Sequence, residues 1–495
     1  MKTTRKILLV LLALAMLVSL LPLCVSAKKE EEKKEAVIGD VTGEGRLDAM
    51  DYMLVRSYLL KTLKDPSEKQ LKAMDVDGNK TVNAIDCLVM KHAILTKTPI
   101  PDPHPYDPLE CLATIYLETK EAIQKENYVD CKIRIVDGSG HLDDLVADDA
   151  SIKIRGNSTS SGNKKPYNIK FSSKTDVLGM GKAKKWCLLA NMFDKTMIRN
   201  KLAYDFAAEI GLAYTQSSTF ADVYLNGKYA GCYQLCESVG TGSSRVDIDT
   251  DGNEFLLEYE PYEGYSNPEF IWTPVMQKLF GFNDPEEPTK EQRAWLTEFF
   301  KNAENALYTK DKATIEKYWD LDSFVNDYIV HEYFKNVDAQ TSSTRYYIKG
   351  GKIYGGPVWD FDLSAGNVDQ SYYKNSGYYV NGDSSVGWYC KHIWYDDLLV
   401  TGWFEDMVIA RFKELQPIIE NLTTDNELGK NRIDLLLERY GKSFEDNIKK
   451  AGWRVNSKDS PYERQPFATY EAGIDFLRKW LIDRNEWMKA QYGIK

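Results

Sequence analysis

The chain has little cysteine for its 495 residues, no surplus of positive charge and, past residue 21, no long apolar run. Its cysteines, at positions 24, 87, 111, 131, 187, 232, 236 and 390, are scattered, and an odd number remains if the first 27 residues are removed. That excludes a disulfide framework, and no CxxC or Cys/His spacing suggests zinc. Cys232 and Cys236 lie in a strand-like stretch and read as buried thiols. No later segment approaches 18 uninterrupted apolar residues, so no second hydrophobic span is expected. With 63 Lys and Arg against 74 Asp and Glu, the formal charge is −11, which argues against nucleic acid as a general partner. There is no GxxxxGK[ST] and no GxGxxG; the nearest text, Leu178-Gly-Met-Gly-Lys182, lacks the hydroxyl residue. Any grip on phosphate must therefore come from side chains rather than a glycine cradle.

What is present begins with Lys2, Arg5 and Lys6, an apolar run over 7–21, then Pro22 and the small residues Val25-Ser26-Ala27. Residues 1–27 read as a secretory signal whose removal takes the charge to about −14 and leaves an exported protein free of the membrane. A charged spacer, 28–36, follows. Residues 98–108, TPIPDPHPYDP, form a stiff proline-rich linker ahead of a large domain over 109–495.

Between spacer and linker a twelve-residue pattern is written twice, DVTGEGRLDAMD over 40–51 and DVDGNKTVNAID over 75–86. Each copy puts oxygen-bearing side chains at loop positions 1, 3, 5, 9 and 12, the spacing that wraps a hard cation. They are Asp40, Thr42, Glu44, Asp48 and Asp51, then Asp75, Asp77, Asn79, Asn83 and Asp86. Position 7, Arg46 or Thr81, offers its backbone carbonyl. An apolar helix is expected after each loop, and no helix pattern precedes either. This tandem loop-helix, over 37–97, resembles the type I dockerin module of cellulosomes. Two departures are Thr42 in place of Asn or Asp, and Lys80 at a turn usually given to Gly. The resemblance implies a small all-α module binding two Ca²⁺ and docking on a cohesin. Its cohesin-facing positions fall on Ala49, Met50, Arg56 and Ser57, and on Ala84, Ile85, Lys91 and His92.

From residue 109 short β-type runs dominate, among them Pro166-Tyr-Asn-Ile-Lys-Phe171 with alternating faces, and 220–235 with an Asn226-Gly227 turn. Residues 195–211 read as a helix stopped by Gly211, with Ile198, Leu202, Phe206 and Ile210 on one face. The second half is mostly helical, interrupted by a hairpin of 345–349 and 352–362. Strands first and helices later give an α+β, two-lobed arrangement. Val358-Trp-Asp-Phe-Asp362 closes the hairpin; on a strand, residues two apart share a face, so Asp360 and Asp362 converge on one divalent cation. Upstream, Asp338 follows the helix of 323–334. A loop carboxylate followed by a metal-binding Asp is a phosphoryl-transfer layout; a structural Asp pair is the alternative.

Ile154-Arg-Gly-Asn-Ser158, Lys164-Lys-Pro-Tyr-Asn-Ile-Lys-Phe171, Trp186-Cys-Leu-Leu-Ala-Asn191, Ile198-Arg-Asn-Lys-Leu-Ala-Tyr204, Val223-Tyr-Leu-Asn-Gly227 and Trp359-Asp-Phe-Asp362 occur in that order. Together they resemble the spore-coat protein kinase (CotH) family. The resemblance implies a two-lobed atypical kinase-like fold that uses ATP and Mg²⁺ or Mn²⁺ to phosphorylate Ser or Thr of secreted proteins. Carried over, Asp338 is the catalytic carboxylate, Asp360 the metal ligand, and Asp362 or Asn367 a second ligand. Lys170, on the polar face of its strand, is the candidate phosphate-contacting lysine, or a solvated strand lysine. Glu209 is its candidate partner. Arg155 and Arg199 grip phosphate or serve as ion-pair partners, and Glu237 sits near an interlobe hinge. Three functions stand open: an exported kinase on a cohesin-bearing cellulosome scaffold, a non-catalytic kinase-shaped module, and a polysaccharide-degrading enzyme. The last is disfavoured, because two carboxylates on one strand face do not flank a sugar ring.

Overall fold

The computed structural model describes residues 37–76, 82–97, 112–138, 142–259, 269–339, 343–369, 374–380, 393–426, 429–459, 463–464 and 466–495. The signal, spacer and linker, and Asp77, Asn79 and Thr81, lie outside them. The chain divides into two compact units, 1–106 and 107–495.

In the first unit α1 (Ala49–Leu59) and α3 (Ala84–Thr96) follow the two loops as expected. Asp48 caps α1: its side chain accepts from the Met50 N–H, and the Asp51 side chain accepts from the Asp48 N–H at 2.8 Å. A third helix, α2 (Glu68–Met74), leads directly into the second loop, with Ser67 and Gln70 forming a capping box. The sequence pattern predicts no helix there. Seven residues hold too few apolar positions to show a period, and the capping box was the signal to use. Val55, Met74, Val76 and Met90 make the small core.

The second unit mixes strands and helices, as expected. Its strand-rich part is a closed barrel, β1 (Ala113–Glu118), β2 (Val129–Val136), β3 (Leu145–Ile154), β4 (Tyr167–Asp176), β5 (Lys182–Leu189), β6 (Ser218–Leu225) and β7 (Lys228–Glu237), in the order 1-2-3-4-5-7-6. All neighbours are antiparallel except β1 and β6, which close the barrel in parallel with Ala113 opposite Ala221. Strict alternation of buried and exposed residues along β2, with Val129, Cys131, Ile133 and Ile135 inward, fills the interior. Asn226 and Gly227, at φ 49° and 76°, make the tight β6–β7 turn, where only a residue tolerant of the left-handed region fits.

Helix α4 (Arg199–Glu209) crosses from β5 to β6 and is buried nearly all round. It starts at Arg199, because Asp194 Oδ2 accepts the Arg199 N–H at 2.8 Å while Oδ1 accepts from Thr196, holding the preceding residues in a turn. A second sheet, order β12-β11-β8-β10-β9, combines β8 (Phe255–Tyr259), β9 (Ile271–Trp272), β10 (Leu279–Asp284), β11 (Thr344–Lys349) and β12 (Lys352–Gly355). Helices α5 (Lys290–Tyr308), α6 (Lys312–Ile315) and α7 (Leu321–Phe334) precede β11. Helices α8 (Tyr395–Leu399), α9 (Trp403–Glu414), α10 (Gln416–Asn421), α11 (Arg432–Lys449) and α12 (Tyr470–Gln491) follow β12. Tyr440 and Phe444 of α11 lie 5.0 and 4.8 Å from Phe220, seating that helix on the barrel. Fully burying an aromatic is worth about 1.5–3 kcal/mol, so these two rings alone hold a substantial part of the contact.

One expectation fails here in a way that matters for the site. The second arm of the hairpin stops at Gly355, not at residue 362. Gly356 still donates to the Arg345 carbonyl, but Pro357 has no N–H to continue the ladder. Asp360 and Asp362 therefore stand in a loop, where residues two apart need not share a face.

Candidate active site

The loop after β12 is shaped by polar contacts from α4 and the turn before it. Asp360 has φ 54°, a left-handed conformation that Asp tolerates better than branched residues. The next N–H, on Phe361, donates to Asn200 Oδ1 at 2.7 Å. Asn200 Nδ2 donates to Asn191 Oδ1 at 3.0 Å, Asn191 Nδ2 donates to Gln234 Oε1 at 3.0 Å, and Gln234 Nε2 donates to Ser218 Oγ at 2.9 Å. This chain of buried amides runs from β6 and β7 to the loop. Arg199 fixes the far side, donating through Nε to the Ser364 carbonyl at 3.0 Å while Nη1 pairs with Asp194 at 2.5 Å. Arg199 and Asp194 are both fully buried. Of its two sequence readings, the ion-pair partner is the one the geometry gives.

Held this way, the loop gathers carboxylates. Asp362 is only 9 % exposed. Burial, and after it the charges of Asp360, Asp338, Asp194 and Glu463, push its carboxyl well above the usual range. Asp194 is balanced by Arg199, and Glu463 faces Lys195 at 3.5 Å. No ion pair to Asp362 is found among the described residues. Asn367 Nδ2 is committed to the Phe193 and Asp362 carbonyls at 2.9 and 2.6 Å, which leaves only its oxygen for a cation. A buried carboxylate crowded by like charges, with oxygen donors around it, fits a hard divalent ion.

Beside these acids sit two arginines. Arg155 and Arg345 each lie over the Trp359 ring, with guanidinium carbons 5.2 and 5.7 Å from its centre. Arg345 also pairs with Glu258 at 2.7 Å, and its Nε has no hydrogen-bond partner. The Asp360 carboxylate accepts from Ser343 Oγ at 3.2 Å. Arg345 was missed from sequence; it is one cation at a strand start, and only the fold brings it to Trp359.

The remaining candidates lie elsewhere. Lys170 is exposed on β4, its ammonium 5.8 Å from the Tyr128 ring, and no described contact joins it to the acids. Glu209 pairs with Arg432 at 2.8 Å rather than with Lys170, so the proposed Lys–Glu pair is corrected. Glu237 closes β7, buried, with Oε2 accepting the Ser217 N–H at 2.8 Å and Oε1 3.6 Å from Arg245. Burial raises its pKa, although Ser217 and Arg245 counter it. It lines a small cavity with Gln216, Arg245 and Pro357, where the chain leaves the barrel.

In the first unit one carboxylate oxygen each from Glu44, Asp48 and Asp51 lie within 4.8 Å of one another. Asp40 Oδ1 accepts the Gly43 and Glu44 N–H groups at 2.7 and 3.1 Å, and Oδ2 accepts that of Gly45 at 2.6 Å. Burial works against its charge, but these N–H groups and Thr42 outweigh it and hold its pKa low. Arg46 folds back onto Glu44 and Asp48 at 3.3 and 3.2 Å. In the second loop Asp86 is buried and accepts the Val76 and Asn83 N–H groups at 2.8 and 2.7 Å, as Asp51 does from Thr42 and Asp48. The shared last position thus braces both loops.

A barrel-and-helix domain whose loop after the second sheet collects acids beside arginines, preceded by a paired loop-helix module, defines a two-module protein. The chain belongs to the CotH kinase protein family, whose model matches residues 152–488, and its front matches the dockerin type I domain over residues 38–95. It is also similar to the inner spore coat protein H of Bacillus subtilis (strain 168), 25 % identical over 229 residues, 44 % of this chain. The match spans 59 % of the length of that curated relative.

Proposed function

We propose that the second unit is an atypical, two-lobed kinase-like domain that transfers the terminal phosphate of ATP to Ser or Thr of exported proteins. The observation that supports this most is the convergence on Asp362 of the charges of Asp338 and Asp360, beside Arg155 and Arg345 at Trp359. In this reading Asp360 and Asp362, with the Asn367 oxygen, hold Mg²⁺ or Mn²⁺. The ion supplies positive charge against the phosphate oxygens. Arg155 and Arg345 contact phosphate through planar guanidinium groups suited to it. Asp338 accepts the proton of the substrate hydroxyl and orients its oxygen. The second sheet and the helices form one lobe, the barrel the other, and Glu237 marks their junction. Lys170 has the weaker case as a phosphate ligand.

The first unit binds calcium through its two loops and docks the protein on a cohesin, placing it on an extracellular cellulosome after export. Among the described residues no helix is long and apolar enough to cross a membrane. Purified chain with Mn²⁺ and labelled ATP should label itself or a Ser-rich acceptor, and Asp360→Ala should not. Labelling that persists in Asp360→Ala would remove the metal role. Absence of nucleotide binding would favour a non-catalytic module on the same scaffold.

A further inference from the structure

His331 lies on the inner side of α7, with 3 % of its side chain exposed. Its imidazole ring stacks on Phe361, centroids 5.2 Å apart and planes within 22°. Phe361 stands between Asp360 and Asp362. The two ring nitrogens point elsewhere. Nε2 is 3.5 Å from Asp327 Oδ1, an oxygen with no hydrogen-bond partner, while Asp327 Oδ2 accepts from Tyr395 O–H at 2.7 Å. Nδ1 is 3.5 Å from Asn336 Nδ2, and Asn336 Oδ1 accepts the Asp338 N–H at 3.2 Å. A ring proton on Nε2 would face Asp327 and leave Nδ1 to accept from Asn336.

We infer that His331 is a positioning residue that couples the two acidic segments, its ring face bracing the Asp360–Asp362 loop and its nitrogen edge, through Asn336, setting Asp338. This rests on the phosphoryl-transfer reading only for its second half. The first half concerns cation holding and can be read without catalysis. Two contacts on one side chain are separable chemically. Phe keeps a ring for Phe361 and loses both nitrogens; Gln keeps a donor and an acceptor and loses the ring.

The test uses the full chain with calcium saturating the front module, so that added Mn²⁺ reports the second unit. His331→Phe should hold Mn²⁺ within about twofold of the parent but lower kcat about 10–100-fold with little change in KM for ATP, the usual cost of disturbing groups that orient a site. His331→Gln should weaken Mn²⁺ about tenfold and, at saturating Mn²⁺, exceed the Phe variant in kcat. Asn336→Ala, acting from the other end of the link, should reproduce the Phe behaviour. Parent kcat in His331→Phe and Asn336→Ala would overturn the edge contact. Parent Mn²⁺ affinity in His331→Gln would overturn the face contact. A parent chain that binds Mn²⁺ and transfers nothing defeats the kinase reading and with it the edge contact, while the titration still decides the face contact.

Discussion

Asn200 on α4 accepts the Phe361 N–H at 2.7 Å, and through Asn191 the same side chain is tied to the barrel. The loop carrying Asp360 and Asp362 is thus oriented by side chains from a segment more than a hundred residues earlier in the chain. All members of that chain are buried, and an amide leaves no spare charge to find another partner. Asn191 and Asn200 therefore act on this loop by holding its backbone.

Replacing Asn200 with Leu strands the Phe361 N–H and one atom of Asn191. Each buried polar group left without a partner costs about 1–3 kcal/mol. Urea unfolding should show a loss of about 2–6 kcal/mol for the two groups together, and phosphate transfer should fall further than stability accounts for. A Leu variant with unchanged midpoint would mean that the loop is held by other contacts.

Asp362→Asn should raise stability and weaken cation binding together. Burial and the neighbouring carboxylates raise the folded pKa of Asp362, so the folded state holds its proton to higher pH than the unfolded chain. Stability of the metal-free protein then falls as pH rises from the ordinary carboxylate value through the folded one. Asn removes that slope and leaves the metal-free protein more stable at neutral pH, and saturating Mg²⁺ narrows the difference. Melting curves at several pH values, with and without Mg²⁺, decide it; a destabilised Asn variant contradicts the crowding argument.

Lys164 gives a pH effect of opposite sign. Its ammonium donates to the Ala190 and Cys232 carbonyls and lies 4.4 Å from the Tyr233 ring centre. Burial lowers its pKa to about 7 from 10.5. Between those values the unfolded chain binds more protons than the folded one, so stability should increase with pH, by up to about 1.4 kcal/mol per unit. Glu463, pushed up to about 7 from 4.5 by burial, acts in a separate window and lowers stability as pH rises through it. Lys164→Met should abolish the upper slope only. An unchanged slope from pH 7 to 10 in that variant would reject the assignment.

The elements most legible in sequence were those with local signals. Alternation gave β4, Asn226-Gly227 gave the β6–β7 turn, and an apolar run after each repeated loop gave α1 and α3. Barrel closure was not legible, because β1 meets β6 in parallel across more than a hundred residues and leaves no periodic trace. Asp360 and Asp362 were expected on a strand, whereas Pro357 ends the ladder and a left-handed Asp360 turns the chain. Lys170 and Glu209 failed as a pair for the same cause as Arg345 was missed: partners on different elements are set by topology, not by spacing.

Arg46 offers the last test, on the front module. Its guanidinium lies 3.3 Å from Glu44 and 3.2 Å from Asp48, and one oxygen of each, with one of Asp51, falls within 4.8 Å of the others. A cation entering among those oxygens meets a positive charge already there and must compete with it for two carboxylates. The arginine is mostly exposed, so screening keeps the effect small. Arg46→Gln should tighten calcium binding by about two- to fivefold, the range of an exposed ion pair, and the gain should shrink as salt rises. Asp51→Ala should do the reverse and more strongly, because Asp51 also braces the Thr42 and Asp48 N–H groups at 2.9 and 2.8 Å. Calorimetric titration of calcium at two ionic strengths measures both. Weaker binding in Arg46→Gln would show that the guanidinium supports the loop's shape rather than opposing the ion.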